Sequence, residues 1–339
     1  MMNIKDIAKL AGVSPSTVSR VINEKSYVKQ EIRDKVMALV QETGYVPDNA
    51  ARSMVLKRNF TIGIVLPESF NMFQRQLFST IERFLEAFGY RTLFFFVKWE
   101  PESESKCLRR LKSEKLDGII MIHEVTDPEF YEYLAAAPAP VVLCTFDREG
   151  YDFPAVHVNE DAASQAATRH LIGLGHRNIG LISGSQFTFG AQRAAGYRSA
   201  LEAAGIPVDE ERIILVPTYS PEEGRAGMHE LLARGRNLTA VFAATDELAI
   251  GAIRALYEVG LNAPGDISII GIDDLDISAY LSPGLTTVRQ PILEMGRMTA
   301  EVISGLIAGE DFQHHPLVFG HRLIVRESSR ALASGSNGD

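Results

Sequence analysis

Cysteine is scarce: Cys107 and Cys144 are the two thiols in 339 residues. Their number and spacing exclude a disulfide framework and a zinc knuckle, and fit a reducing compartment. Long apolar runs are missing too. No stretch approaches the roughly eighteen apolar residues that a membrane helix needs, and the opening MMNIKDIAKLAG lacks the continuous apolar segment of a signal peptide. The expectation is a cytoplasmic protein with no membrane partner. The short signatures of common enzymes are absent as well: GxxxxGKS/T, HExxH and GxSxG do not occur. The glycines of GLGHRNIG, residues 173–180, follow a helical stripe and precede an apolar run, the reverse of a dinucleotide fingerprint. His176 within that stretch has no spaced partner and reads as a hydrogen-bonded turn histidine, while His314 and His315 are neighbours beside Pro316, an arrangement that does not build a metal site unaided. The sequence thus predicts no cofactor, no metal and no catalytic residue.

What is present is unevenly distributed. The chain is too long for one ordinary core, so two or three domains are expected. The net charge of −9 hides a division: residues 1–60 hold ten Lys and Arg against six Asp and Glu, a net +4, whereas residues 61–339 hold twenty-four against thirty-seven, a net −13. A small basic head on a large acidic body is the pattern of a module that meets a polyanion.

In the head, Ile4, Ile7, Ala8 and Ala11 recur at helical spacing; GV interrupts them, and Val18, Val21 and Ile22 restart the pattern. Ser14 stands where an N-cap oxygen is wanted and Pro15 at the first helical position. A third stripe, Ile32, Val36, Leu39 and Val40, stops at Gly44. Residues 1–46 therefore read as helix, tight turn, helix and helix. The second helix leaves Ser16, Thr17, Ser19 and Arg20 off its apolar stripe, at the end where free N–H groups and the helix dipole attract anions. That is the pattern of a groove-reading helix, in which hydroxyls serve base edges or phosphates and Arg grips guanine. A capped surface helix of a small bundle fits this stretch alone equally well. Residues 47–59 follow as a hinge or linker. Within them AARSMVLKRN carries one apolar residue, Met54, among small and basic ones, and is too short to be a stable helix by itself. It reads either as a helix that orders on DNA with a minor-groove wedge or as a plain basic linker.

From Phe60 onward, apolar β-rich runs alternate with helical stripes: FTIGIVLP, QLFSTIERFLEAFGY, TLFFFVK, and so on to ISIIGIDD. Strands that are apolar throughout predict parallel sheets covered on both faces, hence an α/β body. Its length suggests a split near Asn159, before the stripe EDAASQAATRHLIGLGH. Ligands of open α/β sheets bind beyond the carboxyl ends of the strands. Phe73, Arg193, Tyr219, Thr245, Asp246, Asp273 and Asp274 all fall shortly after such runs. An aromatic ring to stack on a C–H face, with Arg and carboxylates to bracket hydroxyls, suits a polyhydroxy ligand. For single residues the plainer readings stay open: Asp246 and Asp274 as helix caps, Phe73 as core, Arg193 paired with an acidic neighbour.

IKDIAKLAGVSPSTVSRVIN, GYVPDNAARSM, LGHRNIGLISG and GIDDLDISAYLSPGLTTVRQP together resemble the lactose-repressor/galactose-repressor (LacI/GalR) family of bacterial transcription regulators, in order and as far as about residue 327. The resemblance implies an all-α helix-turn-helix head. It also implies a two-lobed body like a periplasmic binding protein, built on two doubly wound parallel sheets. Lobe one would span about 60–159 and 291–320 and lobe two about 160–290 and 321–330, with the chain crossing three times between them. Residues 331–339 are expected to be a disordered tail, and ALASGSNGD has no heptads for tetramerisation.

The resemblance further implies a recognition helix over Ser14–Asn23, with Pro15, Ser16 and Arg20 reading bases and Thr17 and Ser19 nearer the phosphates. It places Ala51, Arg52 and Met54 at the minor groove, Met54 standing where the family usually has a leucine. Lys29 replaces the hydroxyl that commonly caps the third helix. Effector contact is implied for Phe73, Arg193, Tyr219 and Asp273, and more weakly for Gln74, Asp147 and Thr245. Thr245 departs from a frequent Asn and Asn159-Glu160 from the usual Asp-Asn.

The expectation is a homodimeric regulator, in the first place a repressor, of carbohydrate-metabolism genes. It would bind double-stranded, pseudo-palindromic operator DNA and be controlled by a sugar or phosphosugar between the lobes. Control by a phosphocarrier protein docking on the first lobe is the alternative within regulation. A transport solute-binding protein would share the lobes but not the basic head. A sugar-active enzyme would need carboxylates facing one bond, whereas Asp273 and Asp274 are chain neighbours.

Overall fold

In the computed structural model the described residues are 2–22, 28–44, 58–68, 71–185, 188–235, 237–312 and 316–332. The chain divides into two compact units, residues 1–60 and 61–339.

Among the described residues, the first unit holds three helices. α1 (Ile4–Ala11) starts at Asn3, whose Oδ1 accepts from the Lys5 and Asp6 N–H groups, while the Asp6 carboxylate accepts the Asn3 N–H at 3.0 Å. Two orphan donors are thereby satisfied reciprocally. Gly12, at φ +71°, turns the chain in a left-handed conformation that a side chain would strain. α2 (Pro15–Ile22) follows, and the Thr17 N–H donates to Ser14 Oγ at 3.2 Å, so the hydroxyl caps the helix. α3 (Gln30–Thr43) starts at Lys29 with no side-chain cap and ends at Gly44. Ile7, Ala8, Ala11, Val18, Val21 and Val36 are buried together between the three helices.

The second unit holds two six-stranded sheets. The first takes β1 (Thr61–Pro67), β2 (Arg91–Val97), β3 (Gly118–Met121), β4 (Val141–Cys144), β5 (Ala155–Val158) and, late in the chain, β11 (Leu317–Phe319), in the spatial order β11-β5-β4-β3-β1-β2. The second takes β6 (Ile179–Gly184), β7 (Ile213–Val216), β8 (Ala240–Ala243), β9 (Ser268–Asp273), β10 (Thr286–Arg289) and β12 (Arg322–Ile324), in the order β12-β10-β9-β8-β6-β7. Every pairing is parallel except β10 with β12. This is the α/β, doubly wound body expected from the sequence. Between the strands lie α4 (Met72–Ala87), α5 (Pro101–Ser113), α6 (Pro128–Ala136), α7 (Glu160–Gly173), α8 (Thr188–Ala203), α9 (Pro221–Ala233), α10 (Asp246–Glu258) and α11 (Ile292–Ala308).

Strand alternation explains the layers. Ile62, Ile64 and Leu66 point into one core with Leu77, Ile81, Met295 and Ile303 from α4 and α11, while Val65 lies in another with Leu108, Leu111 and Phe130 from α5 and α6. The chain passes between sheets three times: after Val158, between Arg289 and Ile292, and between Phe319 and Arg322. α11 and β11 thus return to the first lobe before β12 closes the second. Among the described residues, no helix is long and apolar enough to cross a membrane.

Lobe two relies on close helix contact. A Cβ built on Gly251 of α10 would stand 1.9 Å from the Pro221 carbonyl oxygen and 2.6 Å from the Arg225 nitrogen of α9, and one on Gly224 would stand 2.1 Å from the Leu248 oxygen. These obstacles are backbone, so no rotamer change relieves them. Gly251→Ala is therefore expected to destabilise the protein by about 1–3 kcal/mol or more through overpacking. Gly173→Ala, at a position where an added Cβ meets nothing within 4 Å, should leave stability unchanged or raise it. Equilibrium denaturation of both variants measures the contrast.

Candidate functional site

Two places carry chemistry, one in each unit. In the head, α2 buries Val18 and Val21 and exposes Pro15, Ser16 and Arg20. Ser14 Oγ lies 2.7 Å from Ser16 Oγ and 2.9 Å from Thr17 Oγ1. Three short hydroxyls clustered on the first turn leave that end slim and rich in hydrogen-bonding groups. Arg20 projects one turn further along the same exposed face. Asn23, Ala51, Arg52 and Met54 lie outside the described residues.

In the body, a cavity of about 380 Å³ opens between the lobes at the carboxyl ends of the strands. Lobe one contributes Glu68, Asn71, Gln74, Lys98, Trp99, Glu100 and His123; lobe two contributes Phe189, Thr218, Tyr219, Ser220 and Glu247. Each arrives for a local reason. Asn71 caps α4 by accepting the Gln74 N–H at 2.8 Å, and Gln74 Oε1 accepts the Asn71 N–H in return, which fixes both at the rim. Trp99 and His123 follow β2 and β3, their rings edge to face at 6.0 Å. On the opposite wall Phe189 and Tyr219 stack at 4.7 Å between centroids. Burial lowers His123 to about 4, so its ring is neutral near pH 7. Burial also raises Tyr219, keeping the phenol protonated.

Behind the Phe189 wall lies a buried charge cluster. The Arg193 guanidinium is 2 % exposed, with Cζ 4.9 Å from the Phe189 ring centroid. Its Nε donates to Glu160 Oε2 at 2.7 Å, its Nη1 to the Ala244 carbonyl, and its Nη2 lies 4.0 Å from Asp273 Oδ1. Burial works against the charged guanidinium, and Glu160 and Asp273 more than offset it. Asp273 takes φ +127° at the end of β9 and accepts from Gln290 Nε2 at 2.7 Å. Burial pushes its carboxyl well above the usual range, with Arg193 opposing. A non-glycine residue held at that φ costs about 1–3 kcal/mol and persists only where its surroundings over-determine it.

Two carboxylates bridge the lobes, each at the start of a helix in the other lobe. Glu247 of lobe two accepts the Met72 N–H of α4 at 2.8 Å, and Glu124 of lobe one accepts from the Thr188 hydroxyl of α8. Helix N-termini favour such partners.

The residues singled out from the sequence separate into groups here. Gln74 and Tyr219 line the cavity; Arg193 and Asp273 stand behind it. Phe73 is 8 % exposed and packed in the lobe-one core, outside the lining residues. Thr245 is buried and caps α10, accepting the Leu248 N–H at 3.2 Å. Asp147 is exposed, with its Oδ1 accepting the Arg148 N–H at 2.7 Å, and is also outside the lining. Asp246 and Asp274 hold structure. Asp246 accepts from Leu275 N–H, Ser278 Oγ and Thr287 Oγ1 at 2.9, 2.6 and 2.5 Å, while Asp274 pairs with Arg289 and Arg326 at 2.5 and 2.6 Å. His176 binds Thr239 Oγ1 and the Arg330 carbonyl. Lys98, Trp99, His123, Phe189 and Glu247 were not anticipated. Trp99 and His123 nevertheless stand two residues beyond the ends of β2 and β3, where the carboxyl-end rule looks.

Residues 3–48 match the family described as bacterial regulatory proteins, lacI family, and residues 168–329 match the periplasmic binding protein-like domain. The HTH-type transcriptional regulator DegA of Bacillus subtilis (strain 168) is 35% identical over 333 residues, covering 97% of this chain and 98% of that protein. A ribose operon repressor of Haemophilus influenzae is 33% identical over 334 residues, with 98% and 100% covered. Among solved structures, the lac repressor dimer bound to operator and the anti-inducer ONPF superposes with a TM-score of 0.84 at 25% identity, covering 97% of this chain and 99% of that one. The complex of the transcriptional regulator CelR with cellobiose gives 0.74 at 30% identity, with 97% and 100% covered. An α2 that presents hydroxyls and Arg20, a two-lobed body with a polar and aromatic cleft, and relatives matched along nearly their whole length lead to one assignment: the chain belongs to the lacI family of bacterial regulatory proteins and is a DNA-binding transcription regulator, not an enzyme.

Proposed function

We propose that the protein is a dimeric repressor of carbohydrate-metabolism genes whose hold on a pseudo-palindromic operator is set by a sugar or phosphosugar bound between the lobes. The observation that carries this reading is the cavity itself. It lies at the carboxyl ends of both sheets, walled by aromatic rings from each lobe and by groups that bracket hydroxyls. The relatives point the same way, since one structure is a cellobiose complex and another an operator-bound dimer. Ala51, Arg52 and Met54 would contact the minor groove, with Asn23 completing the reading helix. Ligand contact is proposed for Gln74 and Tyr219 directly, with Arg193 and Asp273 setting the field behind them. Phe73 and Thr245 would support the shape of the site, and Asp147 stands apart from it.

A dimer is supported by lobe one, where β2 is a sheet edge and Phe96 is 46% exposed on it. Two heads are also what a palindrome requires, because one helix reads few bases. A ligand that binds the two arrangements of the lobes unequally would shift the dimer between operator-competent and released states, and ~1–3 kcal/mol of coupling corresponds to a 5–150-fold change in affinity. The decisive test is an operator-binding titration with and without candidate sugars in the absence of any other protein. A response to sugar alone supports this reading, and a response only with an added phosphocarrier protein replaces it.

Arg20→Ala should weaken operator binding by about 1–3 kcal/mol, as loss of a bidentate base contact does, while sugar binding measured by calorimetry stays unchanged. An unaltered footprint would remove Arg20 from the interface. Asp273→Asn retains an oxygen for Gln290 Nε2 but removes the charge beside Arg193. It should weaken sugar binding by unbalancing the Arg193 charge behind the lining, and leave ligand-free operator affinity intact. Gel-shift and calorimetric titrations read both quantities.

A further inference from the structure

We propose that the cleft takes an uncharged saccharide of about two rings and excludes phosphorylated and carboxylated sugars. The inference rests on reading the cleft as the effector site and concerns what that site selects.

Its first support is the balance of charge. The lining carries three carboxylates, Glu68, Glu100 and Glu247, against one cation, Lys98. Lys98 Nζ is already 3.2 Å from Glu68 Oε2, and Glu100 also holds its charge. His123 is neutral at physiological pH. Residues 69–70 and 186–187, which flank the lining in sequence, are Ser-Phe and Gln-Phe and bring no charge. Arg75, next to Gln74 in sequence, is exposed and outside the lining residues, and its charge acts on Glu247.

The buried cation nearest the cleft offers no relief. Arg193 faces Glu160 at 2.7 Å and Asp273 at 4.0 Å, so two carboxylates balance it before any ligand arrives. A phosphate or carboxylate in the cavity would leave water to face three acidic groups and no uncompensated cation among the described lining residues. Glu68 and Glu100 are exposed at the mouth and Glu247 lies deeper, and setting an anion against like charges with no free cation to pair it is unfavourable.

The second support is shape. Trp99 on lobe one and the half-buried Phe189 on lobe two, with Tyr219 stacked on it, give apolar surface on each side, fit to lie against the C–H groups of sugar rings. Between them, the Gln74 and Asn71 amides, the Ser220 and Thr218 hydroxyls and the same carboxylates accept hydrogen bonds from sugar hydroxyls. Acidic groups that repel an anion are strong acceptors for a neutral polyol. The volume of about 380 Å³ exceeds what one sugar ring or one nucleobase fills.

The test uses the full-length protein in thermal-shift and calorimetric titrations with cellobiose, maltose and lactose, with glucose 6-phosphate and glucuronate, and with hypoxanthine. At least one neutral disaccharide is expected to raise Tm by ~5 °C at a hundred times its Kd, the two anions to give no shift, and Trp99→Ala to weaken the disaccharide tenfold or more. Binding of glucose 6-phosphate or glucuronate that Trp99→Ala abolishes would overturn the proposal while leaving the cleft as effector site. Disaccharide binding unchanged in both Trp99→Ala and Phe189→Ala would put the ligand elsewhere and overturn both. A shift with hypoxanthine alone, or none with any neutral disaccharide, would overturn the selectivity proposed here.

Discussion

A guanidinium that folding removes from water dictates much of the body's second lobe. Arg193 is 2 % exposed, and a buried charge is tolerated only with partners of good geometry. Those partners come from three separate segments: Glu160 at the start of α7, the Ala244 carbonyl beyond β8, and Asp273 at the end of β9. Two of them, Glu160 and Asp273, are pinned in turn by where the chain passes between lobes. Glu160 begins the helix just after the first crossing, and Gln290, in the second, donates to Asp273. His321, in the third, is lowered by burial and raised by the nearby Glu160 charge. All three crossings therefore touch one electrostatic cluster. The positive φ of Asp273 is the backbone cost of meeting that geometry. Anything in the cleft that perturbs this cluster acts on the crossings as well.

The same cluster shows why some of the site was readable from sequence and some was not. Caps and breaks are local: Ser14 with Pro15, Gly44 after α3 and the continuous apolar strands each carry their conformation in one or two residues, and they appear where sequence places them. Side-chain direction is not local. Phe73 and Gln74 are neighbours, yet successive residues of a helix point about 100° apart, so α4 sends Phe73 into the core with Leu77 and Ile81 and Gln74 to the cavity. The resemblance favoured Phe73. Trp99 and His123 lie closer to their strand ends and were passed over, because nothing in VKWE or MIHE announces which way the chain leaves the sheet. The pairing of Arg193 with Glu160 was open in outline as an acidic neighbour, but the partner is 33 residues away in sequence and only the fold selects it. The capping box of Asn3 and Asp6 shows the reverse, a signal carried entirely by the four residues NIKD.

Charge division extends from the whole chain to the cleft. The body must be acidic enough to stay soluble and away from the polyanion that the basic head seeks, and its −13 opposes non-specific attachment to DNA. An acidic cleft continues the pattern rather than interrupting it. A lining dominated by Glu68, Glu100 and Glu247 uses the same residue type for two ends, as repulsive charge toward phosphate groups and as acceptors toward hydroxyls.

Energetics decide whether such a site can switch anything. The lobes are joined across the cleft by Glu247 to the Met72 N–H and by Glu124 to the Thr188 hydroxyl, and burial raises both carboxyls, so each bond forms against a desolvation cost. A hydrogen bond to a charged group contributes a net ~1.5–3 kcal/mol, and the burial cost draws these two toward the lower end. Coupling between effector and DNA requires ~1–3 kcal/mol. In the proposed switch one such bridge would be of the required size, acting beside the packing of Leu275 of lobe two in the lobe-one core. A ligand lying between Trp99 and Phe189 sits beside Glu247 in the same lining. Under the proposed function it would change the balance by competing for that carboxylate or by covering it, and only the difference between those two effects would reach the operator.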